Sequence, residues 1–113
     1  MSRKEGFPRI CRMTERPQFV RLFDDPKVYR AQAFHAFWKP NGQEHPRLGI
    51  TLKGKISSVW RAKLKRAIRE WFRKNKDTLG KNDINIVVRS PQKLDIEFLD
   101  RLKRQLSSWS LKN

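Results

Sequence analysis

A chain of 113 residues has room for one compact domain with one modest core. Its 27 Lys and Arg against 11 Asp and Glu leave a formal charge of +16, a self-repelling excess that a polyanionic partner neutralises. No run approaches roughly 18 consecutive apolar residues and the basic N-terminus lacks an apolar signal core, so a cytoplasmic protein without a membrane span is expected. The single cysteine, Cys11, excludes an internal disulfide and a thiolate-rich zinc site, and reads as a packing residue.

Residues 1–12 show no periodicity and are expected to form a flexible basic arm, with Phe7-Pro8 as an anchor. Pro17 followed by Gln18-Phe19-Val20-Arg21-Leu22-Phe23 predicts a short helix, since proline is tolerated in a first turn, and Asp24-Asp25-Pro26 stops it. Ala33 to Trp38 reads as a strand with Phe34, Ala36 and Trp38 on one face and His35 and Phe37 on the other. Pro40-Asn41-Gly42 is a turn signal. After it, Leu48, Ile50 and Leu52 alternate with Gly49 and Thr51 as a second strand, able to pair with the first as a hairpin.

From Ser58 to about Lys76 the period becomes helical. Trp60, Leu64, Ala67, Ile68 and Trp71 recur at three- and four-residue steps as one buried stripe. Ser57 or Ser58 is the cap, and Gly80 is the latest end. Asp83 to Val88 is the third strand, broken by Ser90-Pro91. A last helix runs from near Asp95 to about Trp109 with Leu99, Leu102, Leu106 and Trp109 inward. The expected fold is α+β: a single-domain α-β sandwich spanning 1–113, a small mixed sheet with helices laid on one face, in the order α-β-β-α-β-α. The strand–helix–strand unit from Arg47 to Arg89 implies a parallel pair, and general statistics favour a right-handed crossover.

Between Lys53 and Lys76 there are ten basic residues and one acid, Glu70. On a helical wheel Arg61, Lys65, Arg66, Arg69 and Arg73 fall opposite the tryptophan stripe. A solvated helix face is the bland reading of such a run. Solvated faces, however, alternate signs to gain i,i+4 pairs, whereas this one stacks like charges and calls for phosphate. Phe19 and Phe23, four apart on the first helix, and Phe37, on the strand face opposite Phe34 and Trp38, are either core aromatics or stacking platforms for single-stranded nucleic acid. His35 and His45 stand in no metal-ligand or triad spacing and read as ordinary strand and loop residues.

These segments together resemble the protein subunit of bacterial ribonuclease P. Arg47-Leu48-Gly49-Ile50, Lys53-Gly54-Lys55-Ile56 and Val59 to Arg73 are similar to that family's R-L-G-I strand, Ser-Lys-Lys turn and R-N-R-x-K-R-x-x-R-E-x-F-R helix. Upstream, Arg12-Met13 and Phe19-Val20-Arg21-Leu22-Phe23 look like its R-L and F-x-x-V-F elements at the expected distance, and the resemblance covers Phe7 to about Arg89. The chain departs from the pattern at three places. Ala62-Lys63 stands where the family has Asn-Arg, which removes a bidentate amide and a planar fork. Lys53-Gly54-Lys55 replaces Ser-Lys-Lys, and Ile56-Ser57-Ser58-Val59 is one residue short against a Gly-Asn-Ala-Val turn.

The resemblance implies a holoenzyme subunit in tRNA 5′-end maturation, with catalysis by an RNA subunit that uses Mg²⁺ and no catalytic residue on the protein. It implies a left-handed β-α-β crossover, against the statistical default. Its partners would be the catalytic RNA and precursor tRNA. Lys53, Lys55, Arg61, Lys63, Lys65, Arg66, Arg69 and Arg73 would face the catalytic RNA, and Arg12, Phe19, Phe23 and Phe37 would line a cleft for the precursor's 5′ leader. Two other readings compete: a structural RNA-binding protein of ribosomal type, which would bind RNA without altering cleavage, and a membrane-surface protein, which would bind anionic vesicles even with RNA competing.

Overall fold

The computed structural model describes residues 12–13 and 16–109. Helix α1 (Arg16–Leu22) carries Pro17 in its first turn, where a missing N–H costs nothing. It ends as Phe23 N–H donates to the Phe19 carbonyl at 2.9 Å, and Asp25 turns the chain at a φ of 66°. Strand β1 (Lys27–Arg30) follows, then β2 (His35–Pro40), β3 (Arg47–Lys53), helix α2 (Ser58–Leu79), strand β4 (Asn82–Arg89) and helix α3 (Ile96–Ser108). The expected elements thus occur in the expected order, with β1 added. That strand escapes periodicity analysis because all four of its residues are exposed, so no alternation marks it.

The strands lie in the order β1-β2-β4-β3. The expected hairpin between β2 and β3 does not form, because β4 lies between them. Strand β4 runs antiparallel to β2, with Phe37 opposite Asn85, and parallel to β3, with Gly49 opposite Asn85. The reason is burial: Ile84, Ile86 and Val88 are fully buried, and Asp83 and Asn85 are buried on the other face. A strand covered on both faces belongs at the centre of a sheet.

Pro40-Asn41-Gly42 does turn the chain, but as part of a loop that crosses the end of β4. Asp83 anchors the crossing. Its carboxylate accepts two hydrogen bonds from Arg47, at 2.7 and 2.8 Å, and one from Asn41 Nδ2 at 3.0 Å. The Asn41 amide also donates to the His45 carbonyl at 3.1 Å, and its backbone N–H donates to Lys81.

Helices α2 and α3 cover one face of the sheet. Leu64, Ile68, Trp71, Phe72 and Leu79 of α2 and Phe98, Leu102 and Leu106 of α3 pack on Phe34, Ala36, Leu48, Ile84, Ile86 and Val88. Ser57 caps α2, its hydroxyl accepting from Trp60 N–H, and Asp95 caps α3 through Phe98 N–H. Trp109 closes the layer, stacked on Trp71 at 5.6 Å and on Tyr29 at 5.5 Å. Trp60 departs from the expected stripe. It stands in the first turn of α2, ahead of Leu64, where the core begins, and is half-buried with Lys63 Nζ 4.9 Å from its ring centroid.

Helix α1 lies on the opposite face, so the helices do not all share one side. Register aligns Val28, Phe37, Asn85 and Gly49 in a row on that face. Gly49 leaves the room α1 needs: a Cβ there would come within 2.8 Å of the Phe19 ring and of Asn85 Oδ1 and within 2.9 Å of the Met13 methyl. At the outer edge of β3, Met13 N–H donates to the Leu48 carbonyl and Arg12 bridges to Leu48 in parallel. The expected arm therefore ends in a fixed residue; its residues 1–11, Cys11 and Phe7-Pro8 included, lie outside the described residues.

Candidate nucleic-acid interface

The bases of α2 project where its wheel places them. Leu64, Ala67, Ile68, Trp71 and Phe72 turn towards the sheet, which leaves Arg61, Lys65, Arg66 and Arg69 around one open groove with Ser58 and Ala62. Among the described residues no carboxylate lines that groove. Arg73 continues along the exposed side of the helix. Lys63 does not join this groove: it lies on the other flank, over Trp60.

Arg12 joins from a distant part of the sequence. Partial burial, and then the charge of Arg12, lower the pKa of Arg69 from its ordinary value. The lowered Arg69 guanidinium still stays charged at neutral pH. Fixing Arg12 on the edge of β3 therefore adds like charge beside the α2 groove, and an anion bound there relieves both. Spacing along the sequence could not reveal this pairing, because a parallel bridge to Leu48 creates it.

Lys53 and Lys55 leave the sheet on a tight turn between β3 and α2, both exposed. The turn is held from below: Ser90 N–H donates to the Lys53 carbonyl at 2.8 Å and Ser90 Oγ to the Lys55 carbonyl at 3.1 Å. Gly54 between them has a φ of 95°, and a Cβ on it would stand 2.9 Å from the Ser90 Cβ. Glycine at this position is what lets the chain come that close.

On the other face of the sheet, α1 and β2 bring two of the expected cleft aromatics together. The Phe23 and Phe37 rings lie 5.2 Å apart, tilted by 59°. Phe23 is 44% exposed and Phe37 is half-buried, so neither is a core residue. Phe19 packs farther along the row, over Gly49. Lys39 fixes the end of α1, its Nζ donating to the Arg21 and Asp24 carbonyls. Beneath these rings lies Asn85, fully buried, its Nδ2 donating to Thr51 Oγ1 at 3.1 Å. The alternation of Asp83 and Asn85 with Ile84 and Ile86 is the sequence signal that β4 turns polar side chains to this face.

Among the described residues no three His, Cys, Asp or Glu side chains gather as a metal site, and no helix is long and apolar enough to cross a membrane.

The family model for ribonuclease P matches residues 7–110. The ribonuclease P protein component of Thermotoga maritima is 38% identical over 95 residues, which span 83% of this chain and 80% of that one. That of Thermotoga petrophila is 35% identical over 108 residues, 95% and 87% of the two chains. In three dimensions the chain is similar to the RNase P protein of Staphylococcus aureus, with a TM-score of 0.77 and 29% identity over 90% of this chain and 93% of that one. It is similar too to the Thermotoga maritima RNase P protein, with a TM-score of 0.71 and 31% identity over 86% and 92%. With its four-stranded mixed sheet and basic groove, and matched nearly end to end, the chain belongs to the ribonuclease P protein family: it is the RNA-binding protein subunit of the holoenzyme that matures the 5′ ends of tRNA.

Proposed function

We propose that the two faces of this subunit divide the work, the α2 side docking the catalytic RNA and the α1 side holding the 5′ leader of precursor tRNA. The observation that carries the reading is the clustering of Arg61, Lys65, Arg66 and Arg69 around one groove, with Arg12 beside it. Such a groove concentrates positive charge where phosphate can bind. Lys53 and Lys55, on their rigid turn, extend it; Arg73 continues it along α2; Lys63 contributes from the Trp60 flank.

The leader has no fixed sequence to read, so stacking and charge are the means available. Phe23 and Phe37 offer ring faces on the α1 side of the sheet and Phe19 sets the floor, while Arg12, bridged to Leu48 at the outer edge of β3 and near Arg69, would reach the leader from the α2 side. Chemistry belongs to the RNA, for which Mg²⁺ would supply Lewis-acid stabilisation of charge at the phosphate. The protein's own part is positional and electrostatic: its cations offset phosphate repulsion that Mg²⁺ would otherwise screen. The working compartment is the cytoplasm.

The test is affinity for two substrates. With holoenzyme reconstituted from the chain and its RNA, precursor tRNA with a leader should bind more tightly than mature tRNA. Removing the protein should erase the difference. Equal affinities with the protein present would end the leader assignment.

A further inference from the structure

The pair of rings on the α1 side is only as well placed as the chain that carries Phe23. That residue lies one position past the end of α1, and its ring is 44% exposed against Phe37. Helix α1 has seven residues, too few to persist without tertiary support, and Leu22 is the one it buries. Beyond it the chain reverses at Asp25 with a φ of 66°, a backbone conformation that a residue other than glycine seldom adopts. Something outside the segment must therefore hold it.

Lys39 does so. Phe37 and Lys39 are two apart on β2 and project from the same face. Phe37 meets the Phe23 ring, and Lys39 Nζ donates to the carbonyls of Arg21 and Asp24, at 3.3 and 2.5 Å. Those carbonyls stand two residues before Phe23 and one after it, so the ammonium brackets that residue. It also meets the negative end of the helix, where the last carbonyls lack partners within the helix itself. Asp83 of β4 is the register partner of Lys39, yet its carboxylate is taken by Arg47, and Lys39 pairs with no acid among the described residues.

We propose that Lys39 is a positioning residue for the substrate: by clamping the carbonyls on either side of Phe23, it seats that ring against Phe37 and completes the platform on which the leader stacks. The inference rests on the assignment of the leader to the α1 side. Lys39 acts through Phe23, its charge engaged by protein carbonyls and not by RNA phosphate.

The test compares Lys39→Met, which keeps the stem and removes the donors, with Lys39→Arg, which keeps the charge and can still reach the carbonyls. In the free full chain, ring-to-ring nuclear Overhauser contacts between Phe23 and Phe37 should weaken in Lys39→Met and return in Lys39→Arg. In the reconstituted holoenzyme, Lys39→Met should weaken precursor tRNA binding by about threefold to tenfold, the order of what a cation at a helix C-terminus contributes. Mature tRNA binding should stay unchanged. In a Phe23→Ala background the same change should add nothing, because the ring that Lys39 seats is gone. The salt dependence of precursor binding should keep its slope, whereas a direct contact with leader phosphate would lower it by about 0.7. Should Lys39→Met fail to fold, Lys39→Gln is read by the same criteria. A wild-type holoenzyme that binds precursor and mature tRNA alike overturns the leader assignment and this proposal with it. A wild-type preference that Lys39→Met leaves intact, an unchanged Phe23–Phe37 contact, an effect additive with Phe23→Ala or a flattened salt slope overturns this proposal alone.

Discussion

At the scale of single residues, Asp83 and Phe37 show how differently buried and half-buried groups should respond. Asp83, 3% exposed, holds Arg47 and Asn41 and with them the loop that crosses β4. Its replacement by alanine leaves the Arg47 charge without its partner in a nearly buried place, and should cost about 3–5 kcal/mol. Urea unfolding measures this; a loss under about 1 kcal/mol would mean that the pair behaves as a surface one. Phe37→Ala removes a half-buried ring facing Phe23, so stability should fall by less than the ~3–5 kcal/mol of a core phenylalanine. Precursor tRNA binding should weaken by about 1–3 kcal/mol, with mature tRNA binding almost unchanged. A collapsed melt with equal loss for both substrates would show a packing residue instead.

The alternation of Phe34, Ala36 and Trp38 with Phe37 made the two faces of β2 legible, because side chains in a strand point alternately. The Asp83–Arg47 pair was not legible. Its members are 36 positions apart and meet only because β3 and β4 pair in parallel.

At the scale of elements, α2 carries the account. Its buried stripe from Leu64 to Trp71 followed from period; of the two candidate caps Ser57 is the one used, and the helix runs past Lys76 to Leu79, up to the limit Gly80 set. Trp60 was misplaced because a wheel gives direction but not where along the helix the sheet begins. The β2–β3 hairpin failed because turn chemistry is local, while the position of β4 is decided by which strand can be buried on both faces.

Arg61→Ala and Arg66→Ala should each weaken binding to the catalytic RNA and lower the log–log salt slope by about 0.7–0.9. Filter binding across salt concentrations gives that slope, and an unchanged slope would remove the residue from the phosphate contacts. The Ala62-Lys63 departure splits into two cases. Ala62 lines the basic groove, so Ala62→Asn should tighten RNA binding. Lys63→Arg, over Trp60, should have the smaller effect.

At the scale of the molecule, a formal charge of +16 on one small core opposes its own folding. An anion that binds native sites stabilises by mass action. Sulfate should therefore raise the melting temperature of the free chain well above its value in chloride of equal ionic strength. Equal values would mean that no anion site is preformed. Composition and the motif set together made the class of partner legible; that α1 lies on the sheet face opposite α2 and α3 was not, because no local signal in α1 fixes the side on which it packs.

The central claim is that this subunit works by neutralising and positioning RNA while the RNA does the chemistry. Cleavage of precursor tRNA by the catalytic RNA, measured with and without the chain as Mg²⁺ is lowered, tests it most directly. The chain alone should cleave nothing, and its addition should restore 5′ processing at Mg²⁺ concentrations where the RNA by itself is inactive. Cleavage by the RNA-free protein, or an RNA reaction that the protein leaves unchanged at every Mg²⁺ concentration, would contradict the account.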